Sequence, residues 1–261
     1  MPTIERHAPG SFCWFEIATT DQQAAKQFYT ALFGWTVNDF PMGPGGGSYS
    51  MFDLQGQSVA AAYTMIPEQR AKGIPPFWMP YIATDSADKT AGRVSELGGK
   101  VLSPPFDVFT FGRMAVLADP TRAMFSIWEP QQHTGVGITG EEGTVCWADL
   151  STPDVETASK FYSGLFGWVI SGGDDPSGYL HIQNGDAFIG GIPPAAMRNP
   201  QAPPHWMLYF LVSDCDSIAA KAQELGATLL MPPLTVEHVG RMAIVNDPQG
   251  ALFALFQPEK R

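Results

Sequence analysis

The segment CWFEIAT (13–19) alternates its side chains as a half-buried strand does and leads to Asp21, a residue suited to capping a helix. QQAAKQFYTALFGW then places Ala24 and Ala25, Phe28 and Leu32 at three-to-four spacing, with Gly34 just past the helix end. Three short strands are expected near TVNDF, SYSMFDL and SVAAAYTM. After the Pro-rich break IPPF, WMPYIAT predicts a strand, and a helix should run from Ser86 or Ala87 to Leu97, stopped by Gly98 and Gly99. KVLSPPFDV, GRMAVLAD and AMFSIWEP complete the pattern with three more strands. The order βαβββ therefore occurs twice in the first half of the chain.

The second half repeats it. Residues 13–35 return as residues 146–168 with 11 identities in 23 positions. PPFWMPYIATDSAD (75–88) returns as PPHWMLYFLVSDCD (203–216), and GRMAVLADP (112–120) as GRMAIVNDP (240–248). The preserved order predicts two homologous domains, 1–133 and 143–261, joined by a polar, Gly-rich linker at 134–142. A strand–helix–three-strand unit cannot cover both faces of its sheet, so modules must pair. The expected class is α+β: four βαβββ modules forming two cupped sheets with helices outside.

Composition narrows the partners more than the fold. The formal net charge of −11 disfavours a phosphate backbone or an anionic membrane surface. No apolar run approaches the roughly 20 residues of a membrane span, and the opening MPTIERHAPG lacks the pattern of a signal peptide. Three cysteines without metal-type spacing fit a reduced, cytoplasmic protein. GPGGGS (43–48) lacks the Lys-Ser/Thr of a phosphate loop and is expected to be a loop, a candidate lid over the cup.

Asp21…Phe28-Tyr29…Leu32-Phe33-Gly34-Trp35, its copy Asp154…Phe161-Tyr162…Leu165-Phe166-Gly167-Trp168, and the closing turns Asp119-Pro120 and Asp247-Pro248 resemble the vicinal-oxygen-chelate superfamily of glyoxalases, bleomycin-resistance proteins and extradiol dioxygenases. The resemblance covers nearly the whole chain twice, and is nearest to a two-domain bacterial glyoxalase-like group. It implies cupped sheets in which the catalytic members hold a divalent metal with His and Glu. One ligand position, seven residues before the helix-opening Asp, falls on Trp14 and Trp147. The matching position of the second module is assigned to Trp78 and Trp206, and the position seven residues after the turn Asp to Ser126 and Ala254. SVAAAYTM and DAFIGGIPP offer no fourth carboxylate. Indole has an N–H donor and no lone pair for a metal, so no metal cofactor is expected; a divalent metal is the alternative.

If Trp14 faces the cup, so does Glu16, as Asp149 does beside Trp147. Aromatic walls with a carboxylate suit a small organic molecule, aromatic or cationic; the simpler alternative is that the Trp residues fill the cups as core. Ligand-binding candidates are Trp14, Trp78, Trp147, Trp206, Arg113, Arg241 and Ser126, and catalytic candidates are Glu16 and Asp149. Arg113 and Arg241 either clamp a ligand or neutralise those carboxylates. His181, His205 and Asp149 form an alternative metal set in the second domain. Cys13 and Cys146 should be buried thiols under the helix. The readings left open are a binding protein, an enzyme of glyoxalase-like lyase or hydroxylase/dioxygenase type, and a regulatory partner protein, as a monomer or homodimer.

Overall fold

The computed structural model describes residues 4–43, 47–173 and 177–259. Part of the candidate lid, residues 44–46, lies outside them. In the first domain β1 (Phe12–Thr19) is followed by α1 (Gln22–Phe33), β2 (Thr36–Pro41), β3 (Ser48–Leu54) and β4 (Gln57–Thr64). A short helix, α2 (Pro67–Ala71), precedes the Pro-rich break. The second module is β5 (Phe77–Ala83), α3 (Ala87–Glu96), β6 (Lys100–Val108), β7 (Gly112–Ala118) and β8 (Met124–Pro130). The second domain repeats the order as β9 (Val145–Ser151), α4 (Val155–Phe166), β10 (Val169–Ser171), β11 (Leu180–Asn184) and β12 (Ala187–Ile192), then β13 (His205–Leu211), α5 (Cys215–Glu224), β14 (Thr228–Val236), β15 (Gly240–Asn246) and β16 (Leu252–Pro258).

Each domain is one open, mixed, eight-stranded sheet, ordered β2-β3-β4-β1-β5-β8-β7-β6 in the first and β10-β11-β12-β9-β13-β16-β15-β14 in the second. The modules join where β1 runs antiparallel to β5, and β9 to β13. The helices begin as their sequences require. Asp21 and Asp154 accept from the N–H groups of Ala24 and Thr157, and Ser86 and Asp214 do the same for α3 and α5. Gly34 and Gly167 end α1 and α4 at φ +72° and +75°, where a Cβ would be strained.

The helices lie away from the concave faces, and α1 and α4 are also wedged between the domains. Phe33 of α1 stacks on Phe210 of β13 at 5.0 Å, and Tyr162 of α4 packs on Phe125 of β8 at 5.6 Å. The Tyr29 hydroxyl donates to Asp247 at 2.9 Å across the interface and accepts from the Trp78 indole at 3.1 Å. The second domain mirrors this: Trp206 donates to Tyr162 at 3.0 Å, and Tyr162 faces the Asp119 carboxylate. The last Trp of each helix signature is tied across as well, Trp35 to the Gly143 carbonyl and Trp168 to the Gly10 carbonyl. The duplicated Phe-Tyr…Leu-Phe-Gly-Trp motif is thus the adhesive between the two halves.

Candidate functional site

Alternation along β1 puts Trp14, Glu16 and Ala18 on the concave face. Register carries that face onto Tyr81 and Met79 of β5, which stand opposite Trp14 and Glu16, and onto Tyr63 of β4 and its partner Tyr49 of β3. These side chains meet at one carboxylate. Tyr49 donates to Glu16 Oε1 at 2.5 Å, Tyr81 to Oε2 at 2.6 Å, and the Trp14 indole to the Tyr49 oxygen at 2.8 Å.

The second cup rebuilds the group from matched positions. Tyr179 and Tyr209 both donate to Asp149, the latter to Oδ2 at 2.8 Å. Trp147 donates to Tyr179 at 2.8 Å and to Asp149 Oδ1 at 3.0 Å. Gly191 makes room for this: a Cβ there would collide with the Tyr179 ring. Burial raises Glu16 and Asp149 above the ordinary carboxylate range against the opposing pull of the phenol and indole donors. Burial and the neighbouring carboxylate push Tyr49, Tyr81 and Tyr209 well up, and Tyr63 to about 12, so the phenols stay protonated donors at neutral pH.

The structure thus brings Trp14 together with Glu16, and Trp147 with Asp149. Trp78 and Trp206 are a correction. Register pairs Trp78 with Ile17 and Trp206 with Leu150, on the face opposite Glu16 and Asp149, and both indoles are buried in the aromatic seam between domains. The cup positions are Met79 and Met207, one residue on. Arg113 and Arg241 are also elsewhere. Arg113 forks onto Asp88 at 2.8 and 3.0 Å and reaches Asp107, while Arg241 forks onto Asp216. Asp88 and Asp216 sit in the first turns of α3 and α5, and Asp107 lies in β6.

Ser126 stands beside Tyr81 in register, wholly buried, its hydroxyl without a hydrogen-bond partner. His181 packs edge-on to Tyr179 and Trp147 at 5.0 and 6.2 Å. His205 instead turns one ring nitrogen to the Pro203 carbonyl at 2.8 Å. Among the described residues no group of three His, Cys, Asp or Glu is placed to hold a metal, so His181, His205 and Asp149 do not make a ligand set. Cys13 is fully buried as expected, whereas Cys146 is only half-buried. The four tyrosines that donate to the carboxylates carry no signal in the sequence reading, although Tyr81 and Tyr209 lie inside a repeated segment. His133, edge-on to Trp14 at 4.6 Å, left no signal because it stands in the unrepeated join.

The family model for the Glyoxalase/Bleomycin resistance protein/Dioxygenase superfamily matches residues 11–127 and again 144–255. The chain belongs to this superfamily. A protein named "Putative glyoxylase CFP32" from Mycobacterium tuberculosis is 40% identical over 260 residues, covering 99% of this chain and 98% of its own. The anthracycline biosynthesis protein DnrV of Streptomyces peucetius is 36% identical over 272 residues, covering 97% and 95%. Among solved structures, a Mn(II)-bound glyoxalase from Novosphingobium aromaticivorans aligns at TM-score 0.64 with 17% identity over 95% of this chain and 82% of that one. The 2,3-dioxygenase LapB from Pseudomonas sp. KL28 aligns at 0.62 with 12% identity, over 100% and 94%.

The superfamily fold implies a metal in the cup, and the donor set here does not fit one. A hard divalent ion asks for carboxylate, imidazole or carbonyl donors. Each cup offers an indole, a thioether and one carboxylate whose two oxygens are already held by hydroxyl donors, and the one imidazole of the second cup, His181, has no third His, Cys, Asp or Glu grouped with it and Asp149 among the described residues.

Proposed function

We propose that the protein binds a small, flat, hydroxylated aromatic molecule in its two cups, without a metal. The observation that carries this reading is the duplicated group of one indole, two phenols and one carboxylate, preserved although Glu in one cup is Asp in the other. Aromatic walls supply contact area at low entropic cost, and a carboxylate with fixed donors orients a ligand hydroxyl or carbonyl. Pairing of both domains within one chain suits a monomer. The anthracycline biosynthesis relatives guide the choice of test compounds.

The test is isothermal titration of chelator-treated protein with the hydroxyanthraquinone alizarin and with an anthracycline, alongside elemental analysis. Binding should be unchanged by the chelator. It should weaken by about tenfold or more in Trp14→Ala/Trp147→Ala, since losing one aromatic wall costs at least roughly 1.4 kcal/mol. Affinity that requires stoichiometric divalent metal, or no heat with either compound, overturns the reading. A second reading, acid–base catalysis by Glu16, is favoured by a half-buried carboxyl raised above its ordinary range amid protonated phenols. It requires turnover that Glu16→Gln abolishes.

A further inference from the structure

The two sheets are not sealed alike at the start of their first strands. In the first domain the join lies across β1: the Val136 N–H donates to the Cys13 carbonyl at 2.7 Å, and the Gly137 N–H to the Ser58 carbonyl at 2.8 Å. The matched Cys146 instead borders a cleft of about 340 Å³. Its walls are Phe12 and Phe15 of β1, Val136 of the join, Cys146 and Trp147 of β9, and Ile189 of β12. Three separate stretches of chain converge there, so the cleft is a product of the join and not of the repeat.

We propose that this cleft is a second binding site, distinct from the cups, for an uncharged aromatic molecule of one or two rings. Its volume lies at the small end of the roughly 300–1,000 Å³ typical of ligand pockets. No charged side chain lines it, so an ionic ligand would lose its hydration without a partner. One wall is rigid: Phe12 packs edge-on to Trp206 at 5.2 Å and tilted to Trp168 at 5.8 Å, deep in the interdomain seam. The hydroxyls of Ser11 and Thr139 at its edge suit a ligand carrying one hydroxyl group. Trp147 is shared with the second cup, but its indole N–H is spent on Asp149 and Tyr179, leaving only ring surface for the cleft.

The experiment uses 1-naphthol as probe and alkylation of Cys146 by iodoacetamide as readout, followed by peptide mass spectrometry in mildly alkaline buffer. Burial holds the Cys146 thiol at about 12, yet it is half-buried where Cys13 and Cys215 are buried, so it should react first. Naphthol at about ten times its dissociation constant should slow Cys146 about tenfold, because only the empty cleft reacts. Ile189→Trp fills the cleft and should abolish protection, and Tyr209→Phe, which removes a cup hydroxyl bonded to Asp149 and not to Trp147, should leave it. Phe188→Ala, at an exposed position of the rim, should weaken protection and covers the case in which Ile189→Trp does not fold. An unchanged Cys146 rate with naphthol overturns the proposal. So does protection lost in Tyr209→Phe but kept in Ile189→Trp or Phe188→Ala, which would place the probe in the cup.

Discussion

Replacing Tyr49 by Phe should cost more stability than replacing Tyr179, although the two occupy matched positions. In the first cup the Tyr49 hydroxyl does two jobs, accepting from the Trp14 indole and donating to Glu16. Trp14 is only 4% exposed, so Phe leaves a buried N–H without its acceptor, at about 1–3 kcal/mol. The lost donor to the carboxylate adds about 1–2 kcal/mol, at the low end for a charged partner because Glu16 is half-buried and water replaces part of it. In the second cup Trp147 keeps its bond to Asp149 Oδ1 and is itself half-buried. Tyr179→Phe therefore costs only the donor bond. Because Asp149 is only 5% exposed, that bond is worth more than its Glu16 counterpart, so urea unfolding followed by far-ultraviolet circular dichroism should separate the two variants by about 1 kcal/mol. Equal losses, or a larger loss in Tyr179→Phe, would refute this account of the cups.

Two further outcomes follow from the same geometry. Burial raises the folded-state values of Glu16 and Asp149 above their unfolded ones, so the folded protein holds more protons in the window between them. Their contribution is intact below the unfolded carboxylate range near pH 4 and is lost as pH rises through the raised values. Glu16→Gln/Asp149→Asn should accordingly show a smaller drop in urea midpoint from pH 5 to pH 8 than wild type, and an identical drop would sink the assignment. Tyr29→Phe leaves the Trp78 N–H without its acceptor inside the first domain and the Asp247 carboxylate without its donor from across the interface, at about 2–5 kcal/mol together. Calorimetry should show one transition at lower temperature; an unchanged midpoint would contradict the cross-domain role of this hydroxyl.

Much of the fold could be read from the chain because repeats and caps are local signals. Asp21, Asp154, Gly34 and Gly167 stop and start helices by their own chemistry, and the alternation of CWFEIAT identifies Glu16 as the cup neighbour of Trp14. Trp78 was misplaced because a strand has a period of two, so an offset of one residue transfers a side chain to the other face. Counting seven residues back from Ser86 and Asp214, the caps of α3 and α5, reaches Met79 and Met207, the residues opposite the carboxylates. The tyrosines around Glu16 come from β3, β4 and β5, which the sheet order gathers on either side of β1. Such convergence depends on sheet order, which single-strand periodicity does not carry. Arg113 and Arg241 found acids on the adjacent helices, a partnership set by packing distance.

The Tyr29–Asp247 and Tyr162–Asp119 encounters have a consequence for how this duplicated chain holds together. Each half contributes the helix that plugs the other half's sheet, so neither has a finished interior without its twin. The tether between them then acts mainly by keeping the twins at high local concentration, while side chains supply the cohesion. The protein is in effect a dimer carried on one polypeptide. Freed from the need to match, its two cups differ, one holding Glu16, the other Asp149 and His181.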